Sequence, residues 1–119
     1  MSKLVIREVN TGVKFDLKAS NGEVIATSEV YGSRAGCVKG AQSFCRTAAT
    51  ENVEDQTVDD KVLTHPKYEV YKDKAGEYRF RLRARNGKIV ASSEGYTSHR
   101  ACLDGIESVR RNAGEAVIE

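Results

Sequence analysis

The residues best suited to bind a ligand form a basic row on one predicted strand. Every second residue from 79 to 85 is an arginine. Because alternate side chains of a strand project on the same side, four guanidinium groups would align over about 20 Å. A tyrosine on the neighbouring strand has the same outward parity, so it could stack on a base while the arginines contact phosphates. The predicted anion-binding or nucleic-acid-binding residues are Arg79, Arg81, Arg83, Arg85, Lys72, Tyr71 and Lys88.

Other features of the sequence favour an ordinary solvated face for this basic row. The net charge is only +2, with 8 basic and 9 acidic side chains in residues 1–64 and 11 and 8 in residues 65–119. The carboxylates of Glu69 and Asp73 are close in sequence, and basic residues on a sheet also prevent edge-to-edge pairing. The sequence therefore leaves two interpretations open, an anion-binding face and a charged surface without a ligand.

A polar segment of the form Ser-Glu-x-Tyr-x-Ser occurs twice, at residues 28–33 and 93–98. A serine beside a carboxylate is half of a nucleophile-and-base arrangement, but that chemistry also needs a group that accepts the proton near neutral pH. His99 aligns with Arg34, and the first copy contains no histidine. A histidine mechanism common to both copies is thus excluded.

The same segments precede predicted helices, so Ser33 and Ser98 are interpreted as helix N-caps. The alternative is a small-molecule enzyme or carrier that uses the groove beside these segments. That alternative predicts a concave pocket lined by Glu29 or Glu94.

Three cysteines, Cys37, Cys45 and Cys102, are an odd number without CxxC spacing, which argues against a disulfide framework and a zinc site. Cys37 and Cys102 lie near predicted helix starts, where the helix dipole could lower a thiol pKa. Both also lie on apolar stripes, and buried cysteines are usually inert. The histidines lack ligand partners at short spacing. We predict no catalytic residue, no cofactor and no metal site.

The elements that position these residues are duplicated. Residues 15–29 align with residues 80–94 at a constant offset of 65, without a gap. Each copy has about half of a 119-residue chain, which is near the lower size limit for an independent core. We therefore expect the two copies to share one core.

Each copy contains Asn-Gly between two strand-like runs, at residues 21–22 and 86–87. This dipeptide is typical of a two-residue hairpin turn of type I′. The predicted pairs are Ala19 with Val24, Leu17 with Ala26 and Phe15 with Ser28, and the same pairs 65 residues later.

Strands and helices flank each hairpin. A shorter strand precedes it, and an apolar stripe at helical spacing follows it. Gly40 and Gly105 occupy equivalent positions in the two predicted helices, which indicates close approach of each helix to its neighbours because glycine disfavours helices. A fourth strand is predicted near residues 53–58 and again at residues 115–119. The stripes are Cys37, Ala41, Phe44 and Ala48, and Cys102, Ile106, Val109 and Ala113.

These elements predict a single α+β domain over residues 1–119, built from two pseudo-symmetric β-β-β-α-β repeats. Repeat one spans 1–58, repeat two spans 66–119, and a linker covers about 59–65. We expect one antiparallel sheet, with both helices packed on one face and the basic face open.

The second copy resembles a known family. The run from Tyr68 to Leu82, the following Asn86-Gly87 and residues 93–98 are similar to the YegP-like family of small bacterial and archaeal proteins. The resemblance implies β-β-β-α-β units in one continuous sheet, with the last strand of each unit crossing to the other. The family is functionally uncharacterised, so the resemblance supplies a fold and no activity.

The sequence predicts a non-enzymatic cytoplasmic binding or interaction module. An arginine and a glutamate follow only three apolar residues at the start, which is not a signal-peptide core, and we expect a monomer. The leading hypothesis is that the open sheet face contacts a macromolecular partner of unknown identity. Nucleic-acid or anion binding by the basic row and small-molecule binding beside the Ser-Glu-x-Tyr-x-Ser segments are the alternatives.

Overall fold

The computed structural model describes residues 1–119 and contains two β-β-β-α-β repeats. Repeat one consists of β1 (Lys3–Val9), β2 (Gly12–Lys18), β3 (Val24–Thr27), α1 (Arg34–Thr47) and β4 (Val53–Asp55). Repeat two consists of β5 (Lys67–Lys72), β6 (Tyr78–Arg83), β7 (Ile89–Ser92), α2 (His99–Glu115) and β8 (Val117–Ile118). No helix has the length and apolar character needed to cross a membrane.

All eight strands form one sheet in the order β4-β5-β6-β7-β3-β2-β1-β8. The last strand of each repeat lies beside the first strand of the other, so the predicted exchange of last strands is confirmed. The sheet is mixed, not wholly antiparallel, because β4 pairs with β5 in parallel and β8 pairs with β1 in parallel. β4 follows α1, and β8 follows α2. Parallel pairing requires a long connection such as a helix, and these helices supply it.

The core lies between the sheet and the two helices. The helices cover one face, as predicted, and the eight residues of the two predicted stripes are all buried. Phe15 and Leu17 of β2, and Phe80 and Leu82 of β6, face them from the sheet with at most 1% exposure. Ser33 Oγ accepts the Gly36 amide at 3.1 Å, and Ser98 Oγ accepts the Ala101 amide at 3.1 Å. Both predicted N-caps are confirmed.

The predicted type I′ hairpin turn is wrong, and the strand pairing next to the turn is shifted by one residue. Gly22 alone has a positive φ, of 88°, in the first turn, and Gly22 N donates to Ala19 O at 2.9 Å. A type I′ turn requires positive φ at both central residues. This turn is instead a type I turn followed by a left-handed glycine, so Val24 pairs with Lys18 and not with Ala19. Leu17 pairs with Ala26 as predicted.

The close approach predicted at Gly40 and Gly105 is confirmed. A Cβ atom at Gly40 would overlap the hydroxyl of Tyr31. A Cβ atom at Gly105 would overlap the hydroxyl of Tyr96 and would lie 3.0 Å from a ring carbon of Phe80. Each tyrosine therefore packs directly on the helix backbone of its own repeat.

Candidate functional site

The basic row does not form an open positive surface. Arg79, Arg81 and Arg83 lie on β6, whereas Arg85 lies beyond the end of the strand. Arg79 Nε is 2.6 Å from a carboxylate oxygen of Asp73, and Arg81 Nε and Arg83 Nε are 2.6 and 2.7 Å from one oxygen of Glu69. The acidic neighbours already visible in the sequence thus neutralise most of this row.

The ion pairs continue into a buried network at the sheet edge. Lys67 Nζ lies 2.5 Å from Glu54 and 3.2 Å from Glu69, and the side chains of Lys67 and Glu54 are only 5% and 6% exposed. The Leu63 amide donates to Glu54 at 2.8 Å, which fixes the segment between β4 and β5. Burial opposes the charged carboxylate, but hydrogen bonds from Lys67, Gln56 and Leu63 hold the pKa of Glu54 at about 2.

Tyr71, the aromatic residue of the predicted site, is already covered by an arginine. The Arg81 guanidinium lies over the Tyr71 ring, 4.4 Å from its centroid, in a cation–π contact. Lys72 lies over the Tyr78 ring at 4.9 Å. Of the predicted site residues, Lys72, Arg85 and Lys88 are the cations without an ion pair to a carboxylate.

One of those free cations, Lys88, lines a groove on the helix side of the sheet. A cavity of about 620 Å³ opens between α1 and the β6–β7 turn. Its wall includes Glu29 and Tyr31 of the first Ser-Glu-x-Tyr-x-Ser segment, as the small-molecule alternative requires. The full lining is Glu29, Tyr31, Gly40, Ser43, Arg83, Ala84, Asn86, Lys88, Ile89 and Val90.

A second cavity adjoins the first. It has a volume of about 470 Å³ and shares Ser43, Ala84 and Asn86 with its neighbour. Its other lining residues are Arg46, Thr47, Pro66 and Arg85. The two cavities adjoin between α1 and the β6–β7 turn, and we call them together the turn groove.

The turn groove carries excess positive charge. Arg46, Arg85 and Lys88 form no ion pair with a carboxylate, and the guanidinium of Arg83 is already bound to Glu69. Glu29 is the one acidic residue in the combined lining. Three free cations thus oppose one carboxylate in a concave site.

One wall of the turn groove is the β6–β7 turn, which carries Arg85 and Lys88. Its shape is fixed by local sequence. Gly87 has a φ of 84°, and the Asn86 side chain accepts the Lys88 amide at 3.0 Å. Arg83 Nη1 donates to the Gly87 carbonyl at 2.8 Å, which braces the turn from the strand. Arg85 and Lys88 are both exposed on this rigid turn, so their charged ends are free to reach a ligand.

The opposite wall is set by repeat one. Tyr31 packs on Gly40 of α1, and its ring stacks on Phe15 with centroids 6.4 Å apart. Burial, followed by the charges of Cys37 and Glu29, raises the pKa of Tyr31. The Tyr31 hydroxyl therefore keeps its proton at neutral pH and remains a donor.

The other candidate nucleophiles and bases do not line this groove. Burial raises the pKa of Cys102 to about 11 and also raises the pKa of Cys37, so the dipole effect considered for these thiols is outweighed. His99 Nε2 lies 2.6 Å from Asp55, and the His99 ring packs edge-on against Tyr78. No group of three or more His, Cys, Asp or Glu residues is arranged to bind a metal ion.

Sequence reasoning found Glu29, Arg85 and Lys88 but assigned them to different hypotheses. Arg46 and Ser43 of α1 were missed. Their signal was weak, because a basic residue and a serine on a helix surface are common. What unites these residues is the position of a helix from repeat one beside a turn from repeat two.

Comparison with known proteins places the chain in a family. The model of a domain of unknown function, DUF1508, matches residues 9–55 and again residues 73–119. The chain belongs to the DUF1508 family. The two matches correspond to the two repeats, so the predicted YegP-like resemblance and the tandem duplication are both confirmed.

Some similar proteins match this chain over about the length of one repeat, and others match it over most of both. A UPF0339 protein of Methanosarcina acetivorans is 60% identical over 52 residues, which are 44% of this chain and 90% of that protein. YegP of Yersinia pestis is 34% identical over 105 residues, 88% of this chain and 81% of the relative.

The fold also matches solved structures. The solution NMR structure of YegP from E. coli, described as a protein of unknown function, aligns with a TM-score of 0.81 at 28% identity, covering 99% of this chain and 90% of that chain. A UPF0339 protein of Shewanella oneidensis aligns with a TM-score of 0.80 at 29% identity, covering 99% and 89%. The family supplies no assigned activity.

Proposed function

We propose that this chain is a cytoplasmic binding module that holds a small phosphorylated molecule in the turn groove. The observation that carries the proposal is the charge of the groove lining, where Arg46, Arg85 and Lys88 have no carboxylate partner. Unpaired cations that converge on a concave site are a recognised feature of anion-binding sites.

The residue types favour phosphate over a simple carboxylate. Two of the three free cations are arginines, whose planar guanidinium groups donate two parallel hydrogen bonds to phosphate oxygens. A phosphate group also carries up to two negative charges near neutral pH. It therefore matches the excess charge of the groove more closely than one carboxylate does.

The size and polarity of the groove indicate a ligand larger than a phosphate ion. Cavities of about 620 and 470 Å³ lie within the range of pockets that hold small molecules. Glu29 can accept hydrogen bonds from hydroxyl or amino groups, and Asn86 can donate or accept. A phosphorylated sugar or mononucleotide has both kinds of group.

Binding without catalysis is supported by the chemistry of the remaining residues. Burial raises the pKa of Cys102 to about 11, so this thiol is a poor nucleophile at neutral pH. His99, the first residue of α2, is engaged with Asp55. The three free cysteines are typical of a protein that functions in the reducing cytoplasm.

The sheet face is the weaker candidate for anion binding. Its cations Lys67, Arg79, Arg81 and Arg83 are already paired with carboxylates. A nucleic acid would have to displace these ion pairs before its phosphates could bind. Arg46, Arg85 and Lys88 of the turn groove form no ion pair, so a ligand can bind them without displacing a carboxylate.

Thermal shift and calorimetric titration with AMP and glucose 6-phosphate test the proposal, with adenosine and glucose as uncharged controls. A ligand at about 100 times its Kd stabilises a protein by about 2.7 kcal/mol, which raises the Tm of a domain of this size by about 10 °C or more. At least one phosphorylated compound should do so, and added salt should weaken the effect.

A double variant, Arg85→Ser with Lys88→Ser, should abolish the shift. The matched control is Lys72→Ser with Lys74→Ser, which removes the same charge from residues outside the groove. The proposal is refuted if no phosphorylated compound binds, or if both double variants lose binding equally. Salt-sensitive binding of a short single-stranded RNA that survives the groove variant would instead assign the function to the sheet face.

A further inference from the structure

The pseudo-symmetry of the fold gives the turn groove a counterpart. The mate position lies between α2 and the β2–β3 turn, and α2 packs against both β2 and β3. Seven of the fourteen lining residues recur there with the same side chain. The equivalent pairs are Glu29 and Glu94, Tyr31 and Tyr96, Gly40 and Gly105, Ser43 and Ser108, Arg46 and Arg111, Ala84 and Ala19, and Asn86 and Asn21.

The backbone of the two turns is also equivalent. Gly22 and Gly87 have φ values of 88° and 84°. Each glycine amide donates to the alanine carbonyl three residues earlier at 2.9 Å. The asparagine side chain accepts the amide two residues later at 3.0 Å in both turns. Side chains at matching turn positions therefore leave the backbone in the same directions.

The two sites differ in charge at two turn positions. Ser20 occupies the position of Arg85, and Glu23 occupies the position of Lys88. Burial, then the charges of Cys102, Glu94 and Glu23, raises the pKa of Tyr96. The mate position therefore has a second carboxylate close to its tyrosine, where the turn groove has a lysine.

We infer that Arg85 and Lys88 are the specificity-determining residues that make one of two equivalent positions a phosphate site. The mate position has the same turn and half of the same lining side chains, and Glu23 and the missing arginine disfavour an anion there. Transfer of the two cationic side chains converts it into a second site. This inference rests on the proposed function.

The substitutions required are structurally mild. Ser20 and Glu23 are both exposed, and neither has a side-chain hydrogen bond or ion pair within the protein. The gain variant Ser20→Arg with Glu23→Lys should fold as the parent does. A charge-matched control, Glu8→Lys with Thr11→Arg, adds the same charge at exposed residues near the opposite end of β1 and β2.

Calorimetric titration of the full chain with AMP measures the number of sites. We expect one AMP per chain for the parent and the control variant, and two for the gain variant. A swap variant that combines the gain pair with Arg85→Ser and Lys88→Glu should bind one, with amide shifts confined to residues near the β2–β3 turn and α2.

The outcomes separate the two proposals. One AMP per chain in the gain variant overturns the inference and leaves the proposed function intact. Two AMP per chain in the control variant also overturns it, because added charge alone would then suffice. If the parent binds neither AMP nor glucose 6-phosphate, the proposed function fails and the inference fails with it.

Discussion

Replacement of Lys67 by methionine should destabilise the protein much more than the same replacement of Lys3. The two lysines occupy equivalent positions on β5 and β1. Lys67 pairs with Glu54 of β4, and Lys3 pairs with Glu119, which follows β8. Lys67 and Glu54 are 5% and 6% exposed, whereas Lys3 and Glu119 are 52% and 49% exposed and lie 3.3 Å apart. The fold thus contains the same ion pair in a buried and a solvated form.

The burial of each ion pair determines how much stability its lysine replacement removes. Removal of one partner of a buried pair costs about 3–5 kcal/mol because a charge is left buried without compensation. Glu54 retains hydrogen bonds from Gln56 and Leu63, so about 3 kcal/mol is expected. An exposed pair contributes about 0–1 kcal/mol. The two variants should therefore differ by about 2–3 kcal/mol.

Urea denaturation followed by circular dichroism measures this difference as a shift in the midpoint. The double variant Lys67→Met with Glu54→Gln should recover much of the loss, because no unpaired charge remains. Equal losses for Lys67→Met and Lys3→Met would refute the reasoning. So would a double variant that is no more stable than Lys67→Met alone.

Three further predictions concern packing, acid stability and thiol reactivity. Gly105→Ala should cost about 1–3 kcal/mol because the added Cβ overlaps the Tyr96 hydroxyl, whereas Gly114→Ala, which has open space, should cost nothing in the same urea titration. The pKa of Glu54 is lowered from 4.5 to about 2, so its stabilising effect is complete above pH 4.5 and is lost as pH falls toward 2; Glu54→Gln should flatten that part of the stability–pH curve. Cys102 is buried with a pKa of about 11, so a thiol reagent should label it in urea and not in the folded protein; rapid labelling of the native state would contradict this assignment.

Much of the fold could be predicted because the pattern is local and occurs twice. The pairing of Leu17 with Ala26 follows from alternation along each strand. The packing at Gly40 follows from a glycine placed at an equivalent point of both helices. The turn type could not be decided, since Asn-Gly fits both a type I′ turn and a type I turn with a left-handed glycine, and these differ by one residue in the loop.

The site was harder to predict because it depends on contacts between the repeats. The outward direction of Arg81 and Arg83 followed from strand parity, but their capture by Glu69 depends on the pairing of β5 with β6. The turn groove brings Arg46 of one repeat beside Arg85 of the other. Periodicity within one segment does not show which residues of the other repeat lie beside it. The sequence therefore indicated the cations but not the groove.

Amide chemical shifts of the full chain during titration with AMP test the central claim most directly. We predict that the shifts cluster at residues 40–46 of α1 and residues 84–90 of the β6–β7 turn, which form the two walls of the turn groove. Shifts confined to the open face of β5 and β6, or no shifts at saturating AMP and glucose 6-phosphate, would contradict it.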